Sequence, residues 1–373
     1  MKIVFAGGGT GGHIYPALAV AKEIMNRQPE TKVLFLGGTK GIERKIVSDA
    51  GYTLETIPVS GLPRKVSLSM VGFFWKLGVS IVMSRRVLKR FRPSVVMATG
   101  GYVSGPPIIA ALSLGLPTVI QEQNSFPGIT NRKLGRFVDI VFLGFQDAAT
   151  FFERKAETVV TGNPVRDTIA TGRRDESAQK FGLDPSLRTV LVFGGSQGST
   201  AINRAVSGAA ESIAARDIQV LWQTGELEYT MWKPFDKRCD GRIRVVPYID
   251  AMEHAYAAAD CVVARAGAMS IAEITACGLP AVFIPLPTAA ANHQERNAQS
   301  LVTAGAAAMI LEKNLTPDSL EREIVRILLS QERLAAMSRA SKTLGRPDAA
   351  KSIAGIILER YGYLDMINDH RKE

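Results

Sequence analysis

Two apolar runs that break into glycines and then into a helical pattern constrain this chain more than any other feature. Lys2-Ile-Val-Phe-Ala6 leads into Gly7-Gly-Gly-Thr-Gly-Gly-His13, and Thr189-Val-Leu-Val-Phe193 leads into Gly194-Gly-Ser-Gln-Gly-Ser199. A continuous apolar run reads as a strand buried on both faces, and glycines placed directly after it permit a tight turn into a helix. Short apolar runs alternate with helical patterns from one end of the chain to the other, the signature of a doubly wound parallel sheet. A second unit recurs: Ile108 to Ile120 and Ile271 to Phe283 each read as a helix, a Gly-Leu-Pro stop and a buried strand. With 373 residues the chain is too long for one ordinary core. The expectation is an α/β chain of two Rossmann-like domains facing across a cleft, with the junction near Gly162-Asn-Pro-Val-Arg166. The boundaries fall at residues 1–163, 164–345 and 346–373, the last stretch being a helix and tail able to pack on either domain.

Composition narrows the class. The three cysteines, Cys239, Cys261 and Cys277, are odd in number and lack C-x-x-C spacing, which argues against a disulfide framework and a zinc site and fits a reducing compartment. Only Lys2 precedes the first apolar run, so no signal peptide and no export are expected. The net charge of +10 is unevenly spread. No acidic residue lies between Glu55 and Glu122, whereas Arg64, Lys65, Lys76, Arg85, Arg86, Lys89, Arg90 and Arg92 are all basic. A basic excess gathered beside the apolar stretch Leu68 to Met83 points to an anionic membrane surface rather than to nucleic acid. That stretch is too short and too interrupted by Lys76 to span a bilayer, which needs about 20 apolar residues.

Gly7-x-Gly9-x-x-Gly12 satisfies the dinucleotide pattern, but a dehydrogenase needs an acidic residue at the end of the second strand. Lys32-Val-Leu-Phe-Leu36 instead runs into Gly37-Gly-Thr39. Further glycine-rich turns at Thr99 to Gly105, Gly194 to Ser199 and Arg265 to Gly267 suggest oxyanions held at helix N-termini.

Gly8-Gly-Thr-Gly-Gly-His-x-x-Pro16, Thr99-Gly-Gly-Tyr-Val-Ser-Gly-Pro106, Gln121-Glu-Gln-Asn124, Gly162-Asn-Pro-Val-Arg166, Gly194-Gly-Ser-Gln-Gly198 and His293-Gln-x-x-Asn-Ala298 occur in that order. Together they resemble the MurG family, bacterial transferases that add N-acetylglucosamine to lipid I to give lipid II; the match covers most of residues 1 to 310. The stretch Glu226 to Gly241 and the tail after Tyr361 match no motif. The resemblance implies a GT-B fold, with an acceptor- and membrane-facing N-terminal domain and a C-terminal domain holding UDP-N-acetylglucosamine. It implies donor contacts from Thr10, Gly11, Gly12, Asn124, Arg166, Ser196, Ile249, Ala268, Met269, Ser270, Ile271, Ala272, Glu273 and Gln294, with Glu273 on the ribose hydroxyls. Each of four has a plainer alternative: a Ser270-x-x-Glu273 capping box, an Arg166 salt bridge, an Ile249 in the core, a Gln294 on a solvated helix face.

His13 closes a glycine loop, where an imidazole can take a proton from an attacking hydroxyl; a helix cap, or an acidic residue as the base, are the alternatives. Helix N-termini and Arg166 or Arg265 can supply the field for a departing diphosphate, and there is no Asp-x-Asp pair for magnesium. Neither metal nor cofactor is expected. The resemblance implies inverting transfer to lipid I, a polyprenyl-pyrophosphate-linked acceptor, at the cytoplasmic face of the membrane. The surface there would be formed by Lys76, Arg85, Arg86, Lys89 and Arg90. A UDP-sugar 2-epimerase, a diglyceride sugar transferase and a non-catalytic sugar-nucleotide-binding subunit remain as alternatives.

Overall fold

The computed structural model describes residues 1–61, 69–152 and 156–362. Arg64, Lys65, Leu68 and the tail beyond 362 lie outside the described residues. The chain divides into two units: Met1–Val165 joined by the segment from Asp348 onward, and Arg166–Pro347.

Unit 1 opens with β1 (Lys2–Gly7), α1 (Gly11–Arg27), β2 (Lys32–Gly38), α2 (Glu43–Asp49), β3 (Thr53–Ile57) and α3 (Ser69–Phe91). It continues with β4 (Val95–Gly100), α4 (Gly105–Ser113), β5 (Thr118–Glu122), α5 (Ile129–Leu134), β6 (Ile140–Leu143) and β7 (Glu157–Val160). The strands form one parallel seven-stranded sheet in the order β3-β2-β1-β4-β5-β6-β7. Successive side chains of a strand point to opposite faces, so Ile3 and Phe5 enter a core shared with α1, while Val4 and Ala6 enter one with Leu88 of α3 and Ile108 of α4. Burial on both faces is why β1 reads as an unbroken apolar run.

Unit 2 opens with α6 (Arg174–Lys180), β8 (Arg188–Phe193), α7 (Thr200–Ala214), β9 (Ile218–Gln223), α8 (Tyr229–Trp232), β10 (Ile243–Val246) and α9 (Met252–Ala258). It continues with β11 (Cys261–Ala264), α10 (Ala268–Ala276), β12 (Ala281–Phe283), α11 (His293–Thr303), β13 (Ala307–Met309), α12 (Pro317–Leu328) and α13 (Gln331–Leu344). Its six-stranded parallel sheet runs β10-β9-β8-β11-β12-β13. On α7 the buried Ile202, Val206, Ala209 and Ile213 recur at the helical spacing and pack on Val190, Val192 and Trp222. The motif-free stretch after Glu226 lays Trp232 and Phe235 against Trp222, at ring-centroid distances of 5.6 and 5.9 Å. Glu228 anchors it by accepting hydrogen bonds from Asn203 Nδ2 at 2.7 Å and Trp232 Nε1 at 3.0 Å.

The last helix, α14 (Ala349–Tyr361), belongs to unit 1. Ile353, Ile357 and Tyr361 form its buried stripe, in the same cluster as Ala17, Ala21 and Ile24 of α1. The repeated helix-stop-strand unit is also repeated in conformation. Gly115 and Gly278 both have φ of +66°, which a residue with a Cβ adopts at a cost. Leu116 donates to the Ala111 carbonyl at 3.1 Å, as Leu279 donates to that of Ile274 at 3.1 Å, closing each helix with the same 6→1 bond.

Candidate active site

Each sheet reverses strand order once, between β1 and β4 in unit 1 and between β8 and β11 in unit 2. Ligands of doubly wound sheets bind outside the carboxyl ends of the strands at such a switch point. In unit 1 that place holds the loop that ends at His13 and the turn Thr99-Gly-Gly101. In unit 2 it holds the loop Gly194 to Ser199 and the N-terminus of α10.

The turn between β1 and α1 is fixed from below by a residue that pattern reading missed. Glu43, the first residue of α2, is fully buried and accepts from Gly38 N at 2.7 Å and from Gly9 N at 3.1 Å. A Cβ on Gly8, Gly37 or Gly41 would fall 2.5, 2.7 or 1.9 Å from the Glu43 side chain, so these glycines make room for a carboxylate. The Gly9 amide, already donating to the Glu43 carboxyl group, is not the free N–H that a dinucleotide phosphate would use. No spacing rule would find Glu43; the one available signal is an acidic residue at the start of a short helix behind two glycine pairs.

His13 lies in the first turn of α1, with its ring against the β4 turn. A Cβ on Gly100 would approach His13 Nδ1 to 2.9 Å, and one on Gly101 would approach Cδ2 to 3.2 Å. Thr99 Oγ1 donates to the His13 carbonyl at 2.6 Å, and His13 Nδ1 lies 3.1 Å from both Thr99 O and Gln123 Oε1. His13 is therefore more than a helix cap. The nearby acid Glu122 is only 1% exposed, and four groups donate to it: Asn124 N and Nδ2, Gly128 N, and Asn131 Nδ2. It shapes the loop after β5 and orients Asn124, and its two oxygens are taken up by these four donors. Thr10 is the exposed N-cap residue of α1, and Gly11 and Gly12 are its first two helical residues.

In unit 2, Ser196 is exposed at the loop tip between Gly195 and Gly198, whose φ values are +98° and +79°. Buried Gln223 donates to Gly195 O at 3.0 Å and accepts from Ile249 N at 3.0 Å, tying Ile249 to the same loop. Ile249 is core by burial, and its amide is engaged, which leaves its carbonyl as the group it can offer a ligand. Gln294 is half-buried near the start of α11, where its Oε1 accepts from Leu286 N at 3.0 Å. It is thus not merely a solvated side chain. Arg265 corrects an expectation: its guanidinium donates to Ile284 O, Pro285 O and Ser199 Oγ and pairs with Glu312, so its charge is neutralised within the protein.

The N-cap of α10 is Gly267, which places Ala268, Met269 and Ser270 in the first turn and Ile271, Ala272 and Glu273 in the next. Ser270 is not a cap residue, so the capping-box alternative for Glu273 falls away. Glu273 accepts from the Tyr256 hydroxyl at 3.1 Å and lies 3.9 Å from Arg166 Nη2, a loose ion pair. Burial raises the Glu273 carboxyl above its ordinary value against the opposing pull of Arg166 and Tyr256. Burial, together with the neighbouring Glu273 charge, raises the Tyr256 hydroxyl as well and pushes the Cys277 thiol up to about 12.

The membrane-facing residues expected from sequence lie on α3. Val71, Phe74, Trp75 and Val82 are 70%, 58%, 74% and 51% exposed and recur at helical spacing, so the solvent face of this half of the helix is apolar. The same stripe continues into exposed Arg86, Lys89 and Arg90, with Lys76 exposed beside it. Arg90 pairs with Glu55, and Arg85 donates to Ser113 Oγ at 2.8 Å, so these two are partly engaged. Beneath lies an apolar cavity of about 360 Å³, lined by Val59, Phe73, Leu77, Tyr102, Pro106 and Ile129 among others. Among the described residues no helix is long and apolar enough to cross a membrane.

Residues 3–143 match the glycosyltransferase family 28 N-terminal domain and residues 189–353 the glycosyltransferase family 28 C-terminal domain. The chain is 41% identical to a Clostridioides difficile protein over 97% of its own length and 89% of that protein's. It is 41% identical to a Moorella thermoacetica protein over 96% and 99%. Both are named UDP-N-acetylglucosamine--N-acetylmuramyl-(pentapeptide) pyrophosphoryl-undecaprenol N-acetylglucosamine transferase. The crystal structure of Acinetobacter baumannii MurG superposes with a TM-score of 0.77 at 28% identity, covering 96% of this chain and 99% of that one. A Neisseria meningitidis UDP-GlcNAc 2-epimerase bound to UDP-GlcNAc reaches a TM-score of 0.69 at 15% identity, over 96% of this chain and 100% of that one, which is a likeness of fold alone. Two parallel-sheet Rossmann-like units in GT-B manner, matched along nearly the whole length, make this chain a member of glycosyltransferase family 28 and, within it, of the MurG family.

Proposed function

We propose that the chain transfers N-acetylglucosamine from UDP-N-acetylglucosamine to the 4-hydroxyl of the muramyl sugar of lipid I, with inversion, forming lipid II and UDP in peptidoglycan synthesis. Identity of 41% over 97% of the chain to a protein bearing that activity in its name carries the proposal. Epimerases share the fold at 15% and 16% identity, which argues for the transferase over the epimerase. A diglyceride transferase differs in the acceptor alone.

Unit 2 serves the donor. Glu273 accepts from the ribose hydroxyls, and the Ile249 carbonyl faces the base. Ser196 and the amides opening α7 and α10 meet the diphosphate, where a helix N-terminus carries about half a positive charge. Arg166 adds a cation, and Met269, Ile271, Ala272 and Gln294 complete the donor contacts of unit 2; on unit 1, Thr10, Gly11, Gly12 and Asn124 are the residues offered to the donor. His13 is the base. The acceptor oxygen attacks the anomeric carbon from the face opposite UDP, and its proton passes to His13 Nε2. The bond from the anomeric carbon to the diphosphate oxygen breaks, and its electron pair leaves on UDP.

The α3 face docks on the cytoplasmic leaflet as a peripheral contact, with Phe74 and Trp75 entering the interface and Lys76, Arg86 and Lys89 meeting anionic headgroups. Its support is the exposed apolar stripe running into a basic one above an apolar cavity, since solvent faces of helices are ordinarily polar. Incubation with labelled UDP-N-acetylglucosamine and a lipid-linked muramyl acceptor should give a disaccharide lipid whose new linkage is β-1,4 by NMR. UDP-N-acetylmannosamine, or sugar on diglyceride instead, would favour the other enzymes.

A further inference from the structure

We propose, building on the assignment of His13 as base, that Gln123 is a positioning residue that sets the tautomer of the His13 ring. The geometry is restrictive. Nδ1 faces two carbonyl oxygens, Thr99 O and Gln123 Oε1, each at 3.1 Å. Carbonyl oxygens only accept, so Nδ1 carries the hydrogen, and in the neutral ring Nε2 is the basic nitrogen. The Gln123 amide has a single sensible orientation. Its Nε2, with two hydrogens, faces three acceptors: Thr99 O at 2.6 Å, and Gln121 O at 3.2 Å and Gln121 Oε1, which share the second hydrogen. A flipped amide would set its oxygen against three acceptors, so the oxygen is held toward His13.

The support extends one step further. Asn163 Nδ2 donates to Gln123 O at 2.9 Å, and Gln121 Nε2 donates to Asn163 Oδ1 at 2.8 Å. Gln121, Gln123 and Asn163 are all buried. Three buried amides, two at the end of β5 and one after β7, are expensive unless their donors and acceptors are matched, and here they bond to one another in series toward His13. Gly100 and Gly101 let the ring lie flat on the same turn. An amide oxygen holds Nδ1–H without placing a charge beside the ring.

The test is nitrogen-15 NMR of the full chain labelled at histidine, with His13→Ala assigning the signal among the four histidines. The unsubstituted protein should show His13 as the Nδ1–H tautomer; an Nε2–H ring there overturns the proposal without any variant. Gln123→Leu and the shorter Gln123→Asn leave Thr99 O as the one remaining acceptor of the two, and should each let the Nε2–H form appear beside the Nδ1–H form. They should lower kcat at least about tenfold, with the KM for UDP-N-acetylglucosamine close to the parent's; both lose buried hydrogen bonds and should melt earlier, so turnover is read on folded protein well below its melting temperature. A folded variant with the parent's nitrogen pattern, or one whose tautomer changes while kcat does not, overturns it. Failure of the base assignment is read separately, as undiminished turnover by His13→Ala.

Discussion

Glu273 is a carboxylate with few partners for the depth at which it lies: the Tyr256 hydroxyl at 3.1 Å and a loose pair with Arg166. Burial raises its pKa above the unfolded value, so its contribution to stability is full below the ordinary carboxylate range and is lost as pH rises through the folded pKa. At neutral pH the charge opposes folding, and a ribose diol would supply the missing donors. Glu273→Gln should therefore unfold no earlier than the parent at pH 7 yet bind UDP-N-acetylglucosamine about ten- to a hundredfold more weakly, the value of one charge-assisted hydrogen bond. Calorimetry and thermal melts check both halves. Donor affinity should also fall as pH is lowered through a midpoint above the ordinary Glu value of 4.5, and that dependence should vanish in Glu273→Gln. At His13, replacement by Ala should lower kcat by roughly 10² to 10⁴ and leave donor affinity within a few-fold. The position of His13 was legible in the sequence because it closes a glycine-rich turn, and Glu273 came to notice through the resemblance of its segment to the MurG family. Glu43 and Gln223 were not legible, because a buried polar side chain that ties two distant turns together leaves no periodic trace.

Among the elements, the turn after β8 shows why its glycines are needed. Gly198 has φ of +79°, and a Cβ there would fall 2.0 Å from the Thr224 carbonyl oxygen. Gly198→Ala should destabilise by more than about 1 kcal/mol, since both the backbone conformation and the close approach oppose it. It should also weaken donor binding, because the loop that presents Ser196 must move; denaturation and UDP titration on one sample check the pair. The α3 segment was read from sequence as apolar and basic, and the side-chain burial adds which residues face outward: Val71, Phe74, Trp75 and Val82, with Ser80, Ser84 and Leu88 turned inward. Vesicle co-sedimentation should show binding that needs anionic lipid and weakens with salt, falling on reversal of Lys76, Arg86 and Lys89 to Glu and on Trp75→Ala. At about 1 kcal/mol per engaged basic residue, three reversals remove two orders of magnitude or more of membrane partition. Equal binding to neutral and anionic vesicles would contradict the docking face.

At the scale of the molecule, alternation of apolar runs with helical patterns sufficed to read two parallel sheets, because strands buried on both faces announce themselves as unbroken runs. The home of α14 was not legible: its stripe of Ile353, Ile357 and Tyr361 would suit either core, and its packing with α1 rests on shape at a distance of over three hundred residues along the chain. On the proposed assignment the two units divide the chemistry, with a histidine held by amides in one and the switch point proposed for phosphate and ribose in the other. Catalysis by such a protein requires both substrates at once. The most direct measurement is the initial rate of UDP release from UDP-N-acetylglucosamine by the purified full chain, with and without lipid-linked muramyl acceptor, beside a parallel panel containing diglyceride. Release that depends on the muramyl acceptor and falls by roughly 10² to 10⁴ in His13→Ala is the predicted result; release at the same rate without any acceptor, or with diglyceride alone, would contradict it.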